Sequence, residues 1–246
     1  ITVHKNSAPM FRLEATAWSS PVENQRLYAF SPETVSGRIY EYNENTNAWD
    51  NTFINNNSVF APAKGYSIRA ANNYPTYTPT ATPEVFEGIF TGRPFNGTIG
   101  INVTNNNKGN NYIGNPYPSP IHAYAFLSNN ASVEGLYFWT HEAPPIKGVY
   151  PANNYASYTT FGATASAAGG EIPDGIINVG QGFVIKTNQS VLLQFTNDLR
   201  EISSNGQFFR RAQTEKHRLW LNLSDSLANY NQILLGDMKG SSKAFD

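Results

Sequence analysis

One short strand signature occurs twice in this chain, and no other feature of the sequence restricts its fold as tightly. Gly65-Tyr66-Ser67-Ile68-Arg69-Ala70 returns as Gly182-Phe183-Val184-Ile185-Lys186-Thr187. In each copy an aromatic and an isoleucine stand two apart, so they share one face of a strand, while Arg69 or Lys186 points to the other face. The leading glycine marks a strand entered from a tight backbone position. Three more segments match in the same order. Ser20-Pro21-Val22 pairs with Ser119-Pro120-Ile121, Arg38 to Tyr42 with Gly135 to Trp139, and Phe90-Thr91-Gly92 with Phe195-Thr196-Asn197. The spacing between matches changes chiefly at two low-complexity stretches, Tyr74 to Pro83 in the first copy and Tyr155 to Gly175 in the second. Loops tolerate such insertions and strands do not. The sequence therefore predicts two diverged tandem copies: a first β repeat over 11–104, a second over 111–223 with an insertion at 150–175, and a connection to a following domain over 224–246.

Between turn clusters the chain reads as short alternating or β-branched runs, among them Phe11 to Ala17, Arg26 to Phe30, Thr98 to Val103, Val191 to Thr196, His217 to Leu223 and Gln232 to Leu235. No stretch of three turns keeps apolar residues at helical spacing, and one helical turn is expected, at Ala123 to Leu127. The expected fold is all-β, an antiparallel β-sandwich or jelly-roll-like arrangement. With 246 residues, a core of this kind needs no staples. Cysteine is absent, which excludes disulfides, thiolate metal sites and cysteine nucleophiles.

Lys+Arg number 17 against Asp+Glu 18, and charged residues make up 14% of the chain, compared with about 25% in an ordinary soluble domain. Solubility falls to amides and hydroxyls, as in Asn55-Asn56-Asn57, Asn105-Asn106-Asn107 and Asn110-Asn111. A surface with so weak a field is not built for nucleic acid or an anionic membrane. No apolar run is long enough to insert in a bilayer. Both ends, Ile1 and Asp246, read as cuts within a longer chain.

The most distinctive segment is Tyr112-Ile113-Gly114-Asn115-Pro116-Tyr117-Pro118-Ser119-Pro120-Ile121, where three prolines in five residues fix a bend that leaves a strand. Either Pro116 or Pro118 could follow a cis bond. Taken with Trp18 to Val22 (WSSPV), Gly37 to Asn43 (GRIYEYN), Ala63 to Ile68 (AKGYSI), Leu136 to Trp139 (LYFW) and Gly180 to Ile185 (GQGFVI), it resembles the module preceding the sorting domain of large Bacteroidetes cell-surface proteins exported by type IX secretion. The resemblance covers Phe11 to Asp246. It implies secretion and display on the bacterial surface, often in adhesin-like proteins, with a C-terminal sorting domain as the partner of the secretion machinery. It implies no catalytic residues. Asp225-Ser226-Leu227 fits the O-glycosylation pattern of that phylum and makes Ser226 a modification candidate.

The four histidines, His4, His122, His141 and His217, show no metal-ligand spacing, so no metal or cofactor is expected. Calcium would need clustered oxygens such as Asp198 with Glu201 or Asp237 with Asp246, without EF-hand spacing. There is no GxSxG motif. A glycoside hydrolase would need two carboxylates across a cleft, drawn from Glu14, Glu41, Glu87, Glu134, Asp174 and Glu201. The primary reading is a non-catalytic structural or adhesive module. The alternative is a carbohydrate-binding module using Trp139, Tyr150, Asn153, Asn154, Tyr155 and Tyr158 in and beside the second repeat's insertion, since aromatic faces and planar amides suit sugars. Trp49 and Tyr137 offer further stacking faces.

Overall fold

A computed structural model describes residues 1–143 and 154–202, together with the strands Arg218–Ser224 and Tyr230–Gly236. The chain divides into two compact units, Ile1–Arg211 and Ala212–Asp246. In the second, Arg218–Ser224 and Tyr230–Gly236 form an antiparallel pair. Among the described residues no helix is long and apolar enough to cross a membrane.

The fold is all-β and antiparallel, and the two repeats carry the same strand order. The first sheet runs Ala15–Trp18, Tyr66–Arg69, Ile39–Asn43, Ala48–Asp50. The second runs Asn110–Gly114, Gly182–Thr187, Val133–Trp139, Tyr155–Thr159, Gly162–Thr164. The twice-occurring signature is a central strand of each sheet. Register agrees residue for residue: Ile39 opposes Ile68 as Leu136 opposes Ile185, and Trp18 opposes Tyr66 as Ile113 opposes Phe183. A two-stranded ribbon covers each core, Thr2–Asn6 with Glu87–Thr91 in one repeat and Ile99–Val103 with Val191–Phe195 in the other.

The ribbons move the repeat boundaries read from sequence. Thr2–Asn6 precedes the expected start at 11 yet pairs into the first repeat. Ile99–Val103, expected at the end of the first repeat, is the outer ribbon of the second. The stretch from 212 to 223 belongs to the other compact unit. Arg26 to Phe30, expected as a strand, supplies the helical turn Leu27–Phe30 instead: its Leu27 and Phe30, three apart, both point into the core, which is helical and not strand periodicity. The expected turn at Ala123 is the helix Ala123–Asn129.

Each repeat has its own core. Trp18, Leu27, Phe30, Ile39, Phe60, Tyr66, Ile68 and Phe90 are packed in the first. Leu136, Phe138, Ile177, Phe183, Ile185, Leu193 and Phe195 are among those packed in the second. The repeats meet where their central strands begin. Gly114 donates its N–H to the Ala63 carbonyl at 2.8 Å, and its counterpart Ser19 donates to the Gly180 carbonyl at 2.9 Å. These bonds are reciprocal, as a pseudo-twofold relation requires. A Cβ on Gly114 would lie 2.3 Å from that of Ser19, so one of the two equivalent positions must be glycine.

A third difference between the repeats lies in the proline segment. Ser19-Ser20 in the first becomes Gly114, then Asn115-Pro116-Tyr117-Pro118, then Ser119 in the second. No peptide bond there is cis. The Asn115 amide accepts from the Tyr117 N–H at 2.9 Å and donates to the Ser119 and Asn178 carbonyls. Tyr117 is fully buried, with its hydroxyl donated to the Gly97 carbonyl at 2.6 Å.

Candidate functional site

Asparagine serves two purposes here, and separating them locates the surface available to a ligand. Within the second repeat, three buried asparagines act as substitute peptide groups. Asn111 accepts from the Thr104 N–H and donates to its carbonyl, both at 2.9 Å. Asn130 does the same with Gln194 at 3.0 and 3.2 Å, and Asn154 with Ala143 at 3.1 and 2.8 Å. A primary amide has the donor and acceptor of a peptide bond, so each closes a backbone pair where the ladder stops.

A second group of asparagines is exposed or half-buried and lies where two turns meet. In the turn after Ile39–Asn43, the Asn43 side chain accepts from the Asn45 and Thr46 N–H groups, and Asn47 takes φ 52°, a conformation asparagine tolerates better than most residues. Against it lies the loop before Asn110–Gly114, where Asn107 has φ 53°. Asn106 and Asn107 donate to the side chain and carbonyl of Asn45. The Asn47 amide oxygen accepts both from Asn110 at 3.1 Å and from the Tyr42 hydroxyl at 2.6 Å. The result is an amide seam contributed by both repeats.

Beside it runs a row of aromatic rings. Tyr42 and Trp49 are cross-strand partners, edge to face at 5.3 Å. The equivalent partners are Trp139 and Tyr155, at 5.0 Å, with the residue types exchanged. Trp49 also meets Tyr112 edge to face at 4.8 Å. Burial holds the Tyr155 phenol up, at about 12, with a further rise from Tyr42; burial likewise raises Tyr112 well above the ordinary tyrosine value, with Tyr155 adding to it. Trp49 differs from the rest: 43% of it is exposed.

The residues expected to bind sugar are placed as follows. Asn154 is 0% exposed and its amide is occupied by Ala143, which removes it as a ligand contact. Tyr155 and Trp139 are half-buried against each other, with His141 also beside Trp139, and Tyr158 packs on the second core. Tyr155 and Tyr158 lie on the strand Tyr155–Thr159, which is paired on both sides and is not a free loop, and Trp139 ends the strand Val133–Trp139 with which it pairs. Tyr150, Asn153 and Ser226 lie outside the described residues.

Most of the candidate acids sit in separate pairs. Glu14 faces His141 at 3.7 Å with both buried, Glu41 binds Lys64 at 2.5 Å, Glu87 binds His4 at 2.9 Å and Glu134 binds Lys186 at 3.0 Å. Asp174 accepts from the Ile176 N–H. Asp198, one of the calcium candidates, accepts from Asn129, and hydrogen bonding from Thr196 leads the effects that lower its pKa. No group of three or more His, Asp or Glu able to hold a metal ion occurs among the described residues.

The sequence reading named Trp49 but missed the seam beside it. A signal was available: two asparagine clusters, Asn43 to Asn47 and Asn105 to Asn111, each adjoin a Tyr- or Trp-bearing strand. A family model described as a domain of unknown function (DUF8693) matches residues 1–246. No curated protein and no solved structure matches the chain.

Proposed function

The chain belongs to this family of domains of unknown function, and from that premise we propose that it is a non-catalytic adhesive or spacing module of a larger protein, exported by type IX secretion and displayed on the bacterial surface. The observation that carries the reading is the reciprocal lock between repeats, Gly114 to Ala63 and Ser19 to Gly180. Each repeat supplies backbone partners to the strand ends of the other, so neither can shift without breaking bonds in both. Such a unit suits holding other parts at a set distance. The exposed amides and small net charge favour contact with neutral surfaces in variable salt.

Two measurements test this. Beads coated with the purified chain should be retained on cell-wall or extracellular polysaccharide films, and antibody against the chain should label intact cells. New reducing ends released from a polysaccharide by the purified chain would refute the non-catalytic reading, and antibody labelling confined to permeabilised cells would refute surface display.

A further inference from the structure

We propose that Trp49 and the amide seam beside it form a shallow binding site for neutral oligosaccharides. The proposal rests on the adhesive reading above and gives it a ligand class. Trp49 is held on two sides by edge-to-face contacts with Tyr42 and Tyr112, yet 43% of it remains in water. A ring both fixed and exposed is a prepared platform, because little conformational freedom is lost when a ligand settles on it. The C–H face of a pyranose ring matches an indole in size and polarity.

Comparison of the repeats shows that the framework does not require this exposure. Tyr155 occupies the position equivalent to Trp49, opposite Trp139 as Trp49 is opposite Tyr42. There a half-buried tyrosine completes the same sheet. The larger, more exposed ring of the first repeat is therefore surplus to what the sheet needs.

The polar half of the site is adjacent. Asn47 ends the turn that leads into the strand of Trp49, and it is anchored by Asn110 and by Tyr42, the same ring that packs against Trp49. Asn45, Asn106 and Asn107 continue the surface and are exposed. Asn106 donates to the Asn45 side chain and Asn107 to its carbonyl, which leaves each primary amide with further hydrogen-bonding capacity. Paired amide donors and acceptors suit the vicinal hydroxyls of a sugar. The formal charges flanking the seam, Glu44 and Lys108, are opposite in sign, so the site favours neutral sugars over uronates.

The test titrates the purified chain with β-1,4-linked hexaoses of glucose, xylose, mannose and N-acetylglucosamine, with a galacturonate oligomer as the charged control, followed by tryptophan fluorescence and by saturation-transfer NMR. At least one neutral hexaose should bind, with a dissociation constant on the order of 1 mM or tighter. Trp49→Ala should weaken it at least tenfold and Trp49→Phe far less. Because Trp49→Ala also removes a contact to Tyr112, the pair Asn106→Asp and Asn107→Asp, which leaves the indole in place, serves as a second variant and should weaken binding severalfold. Failure of every neutral hexaose to bind, equal binding by Trp49→Ala, or preference for the galacturonate would overturn the site. Beads that still adhere after such a failure would leave the adhesive reading standing, with another contact surface.

Discussion

The two repeats share a strand order and register but fill their cores differently. In the first, rings press on rings: Trp18 meets Phe30 at 5.1 Å, Phe30 stacks on Phe90 at 4.4 Å, and Phe60 meets Phe30 and Tyr66 at 5.4 and 5.2 Å. In the second, aliphatic side chains predominate and buried amides close the ladder ends. Equivalent positions show the exchange. Thr16, whose hydroxyl meets the Met10 sulfur, corresponds to Asn111, and Ala48 to Asn154. Backbone register and the points of crossing are kept, while the means of filling and sealing are interchangeable. Hydrophobic packing accepts many solutions of equal volume, whereas two backbones in van der Waals contact accept one.

The largest expected effect is therefore at the crossing. Gly114→Ala forces a methyl to within 2.3 Å of the Ser19 Cβ and 2.9 Å of the Gln181 carbonyl oxygen. It should destabilise the chain by about 3 kcal/mol in urea unfolding, and Gly114→Val should prevent folding. Adding Ser19→Gly should recover part of the loss, since it removes one of the two clashes. A Gly114→Ala chain as stable as the parent would show that the repeats can separate at their junction without penalty.

Next come the glycines that begin the two central strands. At Gly65 a Cβ would stand 2.7 Å from the Ile113 carbonyl oxygen, while at Gly182 it would stand 3.1 Å from the nearest atom, the Ala17 carbonyl carbon. Gly65→Ala should cost about 2 kcal/mol and Gly182→Ala about 1 kcal/mol, within the usual range for overpacking. The reverse order in midpoint shifts would mean that the crossing at Gly182 is the tighter of the two.

These glycines were legible in sequence, and so was most of the framework around them. A glycine, an aromatic and an isoleucine two further on constitute a local pattern with a local cause, and it marked both central strands. Arg26 to Phe30 was misread because a four-residue helical turn offers only one pair at i and i+3, too little to outweigh its strand-like residues. The ribbon strand Ile99–Val103 was visible as a strand, but not which repeat it belonged to, because pairing with Val191–Phe195 is a non-local fact. The burial of Asn154 was illegible for a related reason. An asparagine such as Asn154 looks the same in sequence whether its amide meets water or a buried peptide. Only the paired turns distinguish it from Asn106.

The buried amides give an intermediate effect. Asn154→Ala leaves the Ala143 N–H and carbonyl without their partner in a partly buried setting, which costs about 1 to 3 kcal/mol. The equivalent position in the first repeat is already alanine, at Ala48. Ala48→Asn should change stability by less than about 0.5 kcal/mol, since the side chain there is exposed. Thermal unfolding of both variants checks the contrast. Equal effects at the two positions would contradict the view that amides seal the second repeat specifically.

The smallest effect is silent at neutral pH and separates the exchanged aromatic pairs. Tyr155 is held at about 12 by burial and by Tyr42, against about 10 for an unfolded tyrosine. Between these values the unfolded chain gives up the phenolic proton and the folded chain keeps it. The unfolded state then binds fewer protons, so stability falls as pH rises. Below pH 10 the contribution is fully present; it is lost progressively as pH rises from 10 through 12. Trp49, the counterpart of Tyr155, has no proton to lose in this range and contributes nothing. Tyr155→Phe should leave urea unfolding at pH 9 nearly unchanged and make its decline between pH 10 and 12 shallower. Some slope should remain, because burial also raises Tyr66, Tyr112 and Tyr117. An unaltered decline in Tyr155→Phe would mean that the Tyr155 phenol is reached by water, and that the second aromatic pair is as open as the first.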